Sequence, residues 1–256
     1  MLVVLVLVVG VSIGKLLNLV AGRLLDKGFL ATSMPSVEMI PVFGHMWLMV
    51  SNRRKGVSVQ YRVFVVEVAT GVLFVATYIK FGMGFDFVTV CGSLSLLGVI
   101  AIIDLERGLI PNRVLFIGVV IFMVVAPFWT TIGVPRPFLA STDVLASFGN
   151  SALAGVGSFL MFLLVYLFHP QGIGAGDVKL AGLVGLMVGF PALLVALWGG
   201  VISAGIYAVF LLLVRGKNKQ YEIPFGPFLS VAAAMSLLWG VDILEACQRV
   251  VILLYS

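Results

Sequence analysis

Gly174-Ala175-Gly176-Asp177 places a carboxylate next to the longest uncharged stretch of this 256-residue chain, residues 180–214. An ionised side chain at membrane depth costs about 3 kcal/mol on insertion scales, so those present usually have a function and a partner. A second carboxylate, Asp104, ends an apolar run in the same way. The two residues together predict a functional acid–base pair.

The composition of the chain indicates a membrane protein. Its residues are 61% hydrophobic and 11% charged, with a mean hydropathy of +1.19, whereas soluble domains are about 45–50% apolar and 25% charged. Eight apolar runs approach the ~20 residues that a bilayer requires. They predict an all-α polytopic membrane protein with about eight transmembrane helices. The runs are 1–22, 63–80, 86–104, 113–133, 146–168, 177–190, 192–214 and 227–254.

Two of these runs are unusual. Run 177–190 is short, and Phe190-Pro191 separates it from the next run, so it predicts a half-length or strongly tilted helix. Run 1–22 has neither a basic segment before it nor a small-residue cleavage site. It therefore predicts a retained helix rather than a signal peptide.

Lysine and arginine are distributed unevenly between the loops. With the N-terminus outside, the cytoplasmic segments hold twelve of them and the outside segments three, while Lys15 lies within the first run. Because cytoplasmic loops are enriched in Lys and Arg, Asp104 and Asp177 are predicted at the cytoplasmic ends of their helices, with both termini outside. The basic clusters are short and separated, which favours lipid head groups over nucleic acid as their partner. The twelve residues are Arg23, Lys27, Arg53, Arg54, Lys55, Arg62, Arg107, Arg113, Lys179, Arg215, Lys217 and Lys219.

Residues 26–61 are the one long polar segment and predict a cytoplasmic loop. Cys91 and Cys247 both lie in apolar runs, and His45 and His169 lie in separate loops. Residues so placed form neither a disulfide framework nor a zinc site. The sequence therefore predicts no metal centre.

Each carboxylate also has a purely structural interpretation. Asp177 would cap the helix that it begins, after a loop in which Gly174 and Gly176 permit a non-helical backbone beside a water-filled pocket. Asp104 would pair with a basic residue one turn later in the chain. That residue is Arg107.

Glu106 is the other acid near Asp104. On a continued helix the two side chains face away from each other. Two carboxylates within hydrogen-bond reach share a proton, because both cannot easily ionise. One acts as general base and the other as general acid, so that water between them is activated to attack a peptide carbonyl.

Three segments resemble the bacterial type IV prepilin peptidases, which are membrane aspartic proteases of the GxGD type. They occur in the family's order, each at a predicted helix boundary: Ile103-Asp104 with Ile110-Pro111-Asn112, then 172–180, then 223–228. The resemblance implies a dyad of Asp104 and Asp177. It also implies prepilin and pseudopilin substrates, in which a basic leader precedes a hydrophobic helix, cleaved without a cofactor at the cytoplasmic face of the inner membrane.

The resemblance also implies roles for residues around the dyad. Gly174 and Gly176 would shape the loop that brings Asp177 to Asp104. Lys179 would polarise the substrate carbonyl or bind an acidic residue near the cleavage site. Its alternative is to extend to the lipid head groups, the common behaviour of a lysine at a helix end.

Bacterial members usually also methylate the new N-terminal amine with S-adenosylmethionine. Gly10, Gly14, Asn18, Arg62 and Glu67 match positions associated with this second activity. The glycines alternatively permit close helix packing, and Arg62 with Glu67 alternatively forms a structural ion pair.

The resemblance implies two domains. Residues 1–80, with loop 26–61, correspond to the methyltransferase region, and residues 86–254 to a six-helix aspartic peptidase domain. Many bacterial members carry two Cys-x-x-Cys pairs in the loop, which resemble a zinc site. Here residues 51–55 occupy the place of the second pair, so a zinc-free loop is predicted.

Three other functions are open at this level. A transporter or proton-coupled channel would use both aspartates as a relay, although the spans beyond them are almost wholly apolar. A protease of the presenilin or signal-peptide-peptidase type would place a tyrosine before the partner aspartate, where this chain has Ile103. A catalytically inactive assembly factor would not need intact aspartates.

Overall fold

The computed structural model describes residues 1–25, 57–130, 143–169, 172–215 and 223–255. These residues form eight α-helices, and a short 3₁₀ helix, Ala126–Thr130, continues the fourth. The helices are α1 Leu2–Leu25, α2 Val57–Phe81, α3 Phe85–Arg107, α4 Asn112–Val125, α5 Val144–Phe168, α6 Ala175–Val188, α7 Leu193–Arg215 and α8 Gly226–Tyr255.

Each of the eight apolar runs coincides with one of these helices, which confirms the all-α polytopic membrane fold. Within the described ranges, six helices are long and apolar enough to cross a membrane. The other two, α4 and α6, have 14 residues each, or about 21 Å at 1.5 Å per residue. The short run before Phe190-Pro191 is thus a short helix, as predicted.

The predicted loop 26–61 needs a correction at its C-terminal end. Helix α2 begins at Val57 rather than at residue 63, because the helix continues through polar residues that hydropathy assigns to the loop. The remaining part, residues 26–56, lies outside the described residues.

The chain divides into two compact units, Met1–Ile103 and Asp104–Ser256. In the first unit, α1 packs on α2 through two glycines. A Cβ atom built on Gly10 would lie 2.9 Å from the Cβ of Phe74, and one built on Gly14 would lie 2.8 Å from the Cα of Glu67. Both glycines therefore allow the close approach of two helix backbones.

Helix α6 is the centre of the second unit. It contacts α4, α5, α7 and α8, and Val178 and residues 180–188 are buried. A helix that is apolar on all sides must be surrounded by other elements. The sequence of α6 thus explains why so short a helix lies inside the unit.

One face of α5 is small and polar, and it packs on α6. Ser158 donates a hydrogen bond across this contact to the carbonyl oxygen of Ala181 at 2.8 Å. Near the other end of α5, Ser147 donates to the carbonyl oxygen of Ala126 at 2.9 Å. Backbone carbonyls thus satisfy these hydroxyls, as a helix contact in a membrane requires.

Asn150, also on α5, holds the break between α6 and α7. Its Nδ2 donates to the carbonyl oxygen of Phe190 at 2.9 Å, and its Oδ1 accepts from the backbone N–H of Phe190 at 2.7 Å. The side chain is 3% exposed. It therefore satisfies a backbone donor and a backbone acceptor that Pro191 leaves outside a regular helix.

We expect Asn150→Ala to lower the free energy of unfolding by about 2 kcal/mol, because the Phe190 N–H and carbonyl lose their partners in a buried place. Thermal unfolding in detergent measures this loss. The matched control is Ser203→Ala, since the Ser203 hydroxyl bonds only carbonyls of its own helix, those of Gly199 and Gly200, at 2.7 and 3.1 Å. Equal melting temperatures for the two variants would show that the Asn150 bonds do not stabilise the fold.

Candidate active site

Asp104 lies in the last turn of α3 and is 4% exposed. The backbone N–H of Gly226, at the start of α8, donates a hydrogen bond to its carboxylate. The other acid, Glu106, is exposed, in agreement with the prediction that the two side chains face apart. Among the described residues, Asp104 Oδ2 has no hydrogen-bond partner. The carboxylate of Asp104 is therefore buried against the start of α8.

Gly226 brings α8 against the carboxylate of Asp104. A Cβ atom built on this glycine would lie 2.5 Å from Asp104 Oδ2, so a side chain here would force the carboxylate or the start of α8 to shift. The sequence placed segment 223–228 at a predicted helix boundary but indicated no contact with Asp104. The only local signal was a glycine before Pro227, a residue that favours a helix start.

The helix that carries Asp177 begins earlier than predicted. Gly174 is the N-cap, Ala175 is the first helical residue, and Asp177 is the third. Asp177 Oδ2 accepts a hydrogen bond from the backbone N–H of Gly174 at 3.2 Å, one half of a capping box. Capping therefore also fixes the position of the carboxylate.

The two glycines of the turn serve a different purpose from the one predicted. Gly174 has φ −71° and ψ 144°, a conformation open to any residue, and Gly176 is already helical. Both glycines provide space instead. A Cβ atom on Gly174 would lie 3.1 Å from Asp177 Oδ2, and one on Gly176 would lie 3.1 Å from the Cβ of Ile110.

Ile110 connects the two aspartate segments. Its side chain faces Gly176 on α6, and its Cδ1 would lie 3.3 Å from a Cβ atom on Gly226, the residue that binds Asp104. The carboxylates of Asp104 and Asp177 are close enough to interact electrostatically. The ends of α3, α6 and α8 therefore bring the two aspartates into one site.

Lys179 points away from this pair. Its Nζ donates a hydrogen bond to Asn112 Oδ1, at the start of α4, at 2.8 Å. Residues two apart on a helix do not face each other, so Lys179 and Asp177 occupy different faces of α6. The predicted role of Lys179 towards the substrate stays a prediction.

Comparison with known proteins finds a family match for part of the chain. Residues 91–209, which include both aspartates, match the type IV leader peptidase family. The match confirms the resemblance inferred from the sequence motifs and the predicted class of enzyme, a membrane peptidase.

Several relatives carry the name prepilin leader peptidase/N-methyltransferase. The Bacillus subtilis protein is 25% identical over 85% of this chain and 82% of its own length. The Aeromonas hydrophila protein is 26% identical over 80% and 68%, and the Xanthomonas campestris protein is 28% identical over 83% and 71%. No solved structure matches the chain.

The residues predicted for methylation lie in the first unit, all before the segment that matches the leader peptidase family. Asn18 Nδ2 donates to the carbonyl oxygen of Gly14 at 3.1 Å and to that of Val63 at 3.5 Å. Asn18 Oδ1 is buried, with no hydrogen-bond partner in the described part of the chain. Glu67 is fully buried and Arg62 is partly buried. Because Asn18 bonds the backbone of α2 between Arg62 and Glu67, these three residues form a polar cluster where α1 meets α2.

Part of the prediction that the chain has no metal centre falls on residues outside the described ranges. Within the described ranges, no group of three or more His, Cys, Asp or Glu side chains could hold a metal ion. The zinc-free loop falls on residues 26–56, which are not described, and stays a prediction.

Proposed function

We propose that the chain is an aspartic endopeptidase that removes the leader of prepilins or pseudopilins, with Asp104 and Asp177 as its catalytic dyad. The observation that carries this proposal is that the backbone of Gly226 and the side chain of Ile110 hold the Asp104 and Asp177 segments together, in a segment that matches the type IV leader peptidase family. The names of the relatives support the substrate class.

The reaction needs one proton on the pair. The ionised carboxylate takes a proton from water, and the water oxygen forms a bond with the carbonyl carbon of the scissile peptide. The protonated carboxyl gives its proton to the amide nitrogen, and the C–N bond then breaks to give an acid and an amine. Backbone N–H groups donate hydrogen bonds from Gly226 to Asp104 and from Gly174 to Asp177 and orient both carboxylates. Because the two carboxylates interact, the proton belongs to the pair.

The substrate would present its basic leader at the cytoplasmic face of the inner membrane, with both termini of the enzyme outside. The Lys/Arg distribution supports this orientation. A basic leader also complements an acidic dyad, which favours productive encounter.

Incubation of the full chain in detergent with a model prepilin tests the proposal. The model prepilin has a basic leader followed by a hydrophobic helix, and mass spectrometry of the products locates the cleaved bond. Cleavage at the end of the leader supports the proposal. An intact substrate, with the enzyme still folded by thermal unfolding, contradicts it.

A proton relay fits the structure less well. The polar residues along α5 that would extend such a relay bond backbone atoms instead, as Ser158 does with Ala181 and Asn150 with Phe190. They act as local links between helices. Together with the family match, this arrangement favours the peptidase over a transporter.

Methylation of the new N-terminus is a second proposed activity, supported by the polar cluster of Asn18, Arg62 and Glu67. The unpartnered Asn18 Oδ1 and the buried carboxylate of Glu67 fit a ligand with polar and cationic groups. Gly10 and Gly14 do not contribute to such a cradle, because α2 fills the space beside them. S-adenosylmethionine, when bound, supplies the methyl group, and Glu67 accepts the proton that the amine nitrogen loses.

We expect Glu67→Gln to abolish methyl addition while leaving the rate of leader cleavage unchanged. The amide keeps the shape of the carboxylate but cannot accept the proton. Mass spectrometry of the cleaved product, with added S-adenosylmethionine, measures both events in one sample. Methylation at the wild-type rate would remove Glu67 from the proposed reaction, and a product without methylation in the wild type would remove the second activity.

A further inference from the structure

A groove of about 430 Å³ opens between α4, α5 and α6, within the second unit. Apart from Lys179 and Asn112, every residue that lines it is apolar. Leu115 and Val119 of α4 form one wall, and Gly182 of α6 lies opposite. The groove is therefore lined by apolar residues along its length and by polar residues at one end.

The groove and the dyad occupy different faces of α6. Lys179, Gly182 and Leu186 line the groove and share one helix face by their spacing of three and four. Asp177 lies two residues before Lys179, on another face, beside Asp104. Helix α6 therefore does not connect a substrate bound at the dyad with this groove.

The groove is open to the hydrocarbon that surrounds the protein. Phe116 and Val156, which border it, are 69% and 56% exposed. Gly155 and Gly182 let α5 and α6 pack closely at its floor, since a Cβ atom on Gly155 would lie 2.6 Å from Leu186 Cγ and one on Gly182 would lie 3.1 Å from Phe159 Cβ. An extended apolar chain fits such a surface.

The polar end carries positive potential. Lys179 Nζ donates a hydrogen bond to Asn112 Oδ1. Arg113, the next residue of α4, is exposed. Helix α4 begins at Asn112, and no side-chain hydrogen bond caps it among the described residues. The N-terminus of a helix attracts anions. A cation and a helix N-terminus therefore meet where the apolar groove ends.

We propose that this groove binds one anionic phospholipid. The phosphate contacts Lys179 and the N-terminus of α4, and one acyl chain lies along Leu115, Val119 and Gly182. Charge complementarity selects this occupant, because basic pockets between transmembrane helices bind anionic head groups. The proposal is independent of the peptidase reaction, since it uses another face of α6.

Native mass spectrometry of the detergent-purified full chain tests this site. Phosphatidylglycerol and phosphatidylcholine of identical acyl chains are added in equal amounts, and retention of one lipid is compared. We expect preferential retention of phosphatidylglycerol, and an about fivefold loss of it in Lys179→Gln. The matched control is Arg249→Gln, which removes one charge from an exposed position on α8 and should change nothing.

A second pair of variants tests the acyl path. Val119→Phe should reduce the retention of both lipids, because the ring fills the groove. Val124→Phe, at an exposed position of α4 outside the groove, should retain both lipids as the wild type does. Thermal unfolding confirms that each variant is folded.

Three results would overturn the proposal. Equal retention of the two lipids would remove the head-group contact, and equal effects of Lys179→Gln and Arg249→Gln would make the charge effect general. If Val119→Phe leaves lipid retention intact but raises the KM for a model prepilin, the groove holds the substrate helix instead of a lipid.

Discussion

Asp104→Asn and Asp177→Asn are each expected to lower the rate of leader cleavage by about 10³-fold or more. General acid–base groups contribute about 10²- to 10⁴-fold each, and an amide neither accepts the proton of the attacking water nor donates to the leaving nitrogen as a carboxyl does. Both substitutions keep the shape and volume of the side chain, so the melting temperature should stay close to that of the wild type. Initial rates on a model prepilin measure the loss.

Glu106→Gln is the matched control for these variants. Glu106 lies two residues after Asp104 at the same helix end, but it is exposed and faces away from the pair. Its substitution removes one negative charge without touching the dyad, so cleavage should continue at the wild-type rate. Cleavage retained in either aspartate variant would refute the dyad, and loss in Glu106→Gln would move the general acid to that residue.

The positions of the helices were predictable because the length of each apolar run decides them. A bilayer needs about 20 apolar residues per span, and the runs in this chain are separated by segments that hold charged residues, proline or, at 81–85, two glycines. The shortness of α6 followed from Phe190-Pro191. Helix starts were less predictable, since α2 extends into polar residues and α6 begins two residues before Asp177. Aspartate is common both at the N-cap and at the third helical position. The residue type alone therefore does not show which of the two positions Asp177 occupies.

Local sequence patterns did not predict the contacts between segments that are far apart in the chain. Asn150 appeared as one polar residue in an apolar span, and its partner, Phe190, lies 40 residues later. Gly226 likewise acts on Asp104, more than 100 residues earlier in the chain. The orientation of Lys179, in contrast, follows from helical spacing once Asp177 is assigned to the same helix.

Gly226→Ala is expected to lower the rate of cleavage by about 10²-fold, the cost of moving a catalytic group by about 1 Å. A Cβ atom at this position would lie 2.5 Å from Asp104 Oδ2 and 3.0 Å from its Cγ. The carboxylate or the start of α8 must therefore shift, and the hydrogen bond from the Gly226 N–H changes with it. The effect should appear in kcat with little change in KM, because the substitution moves a reacting group and leaves the rest of the site in place.

Gly205→Ala provides the control for the change from glycine to alanine. Gly205 lies inside α7, where an added Cβ meets nothing within 4 Å in the described part of the chain. Alanine there should raise stability by about 0.5–1 kcal/mol through helix propensity and leave cleavage unchanged. If Gly226→Ala cleaves as fast as Gly205→Ala, the close contact of α8 with Asp104 has no part in catalysis. If it loses activity while keeping its melting temperature, this glycine positions the general acid–base pair that α3 and α6 supply.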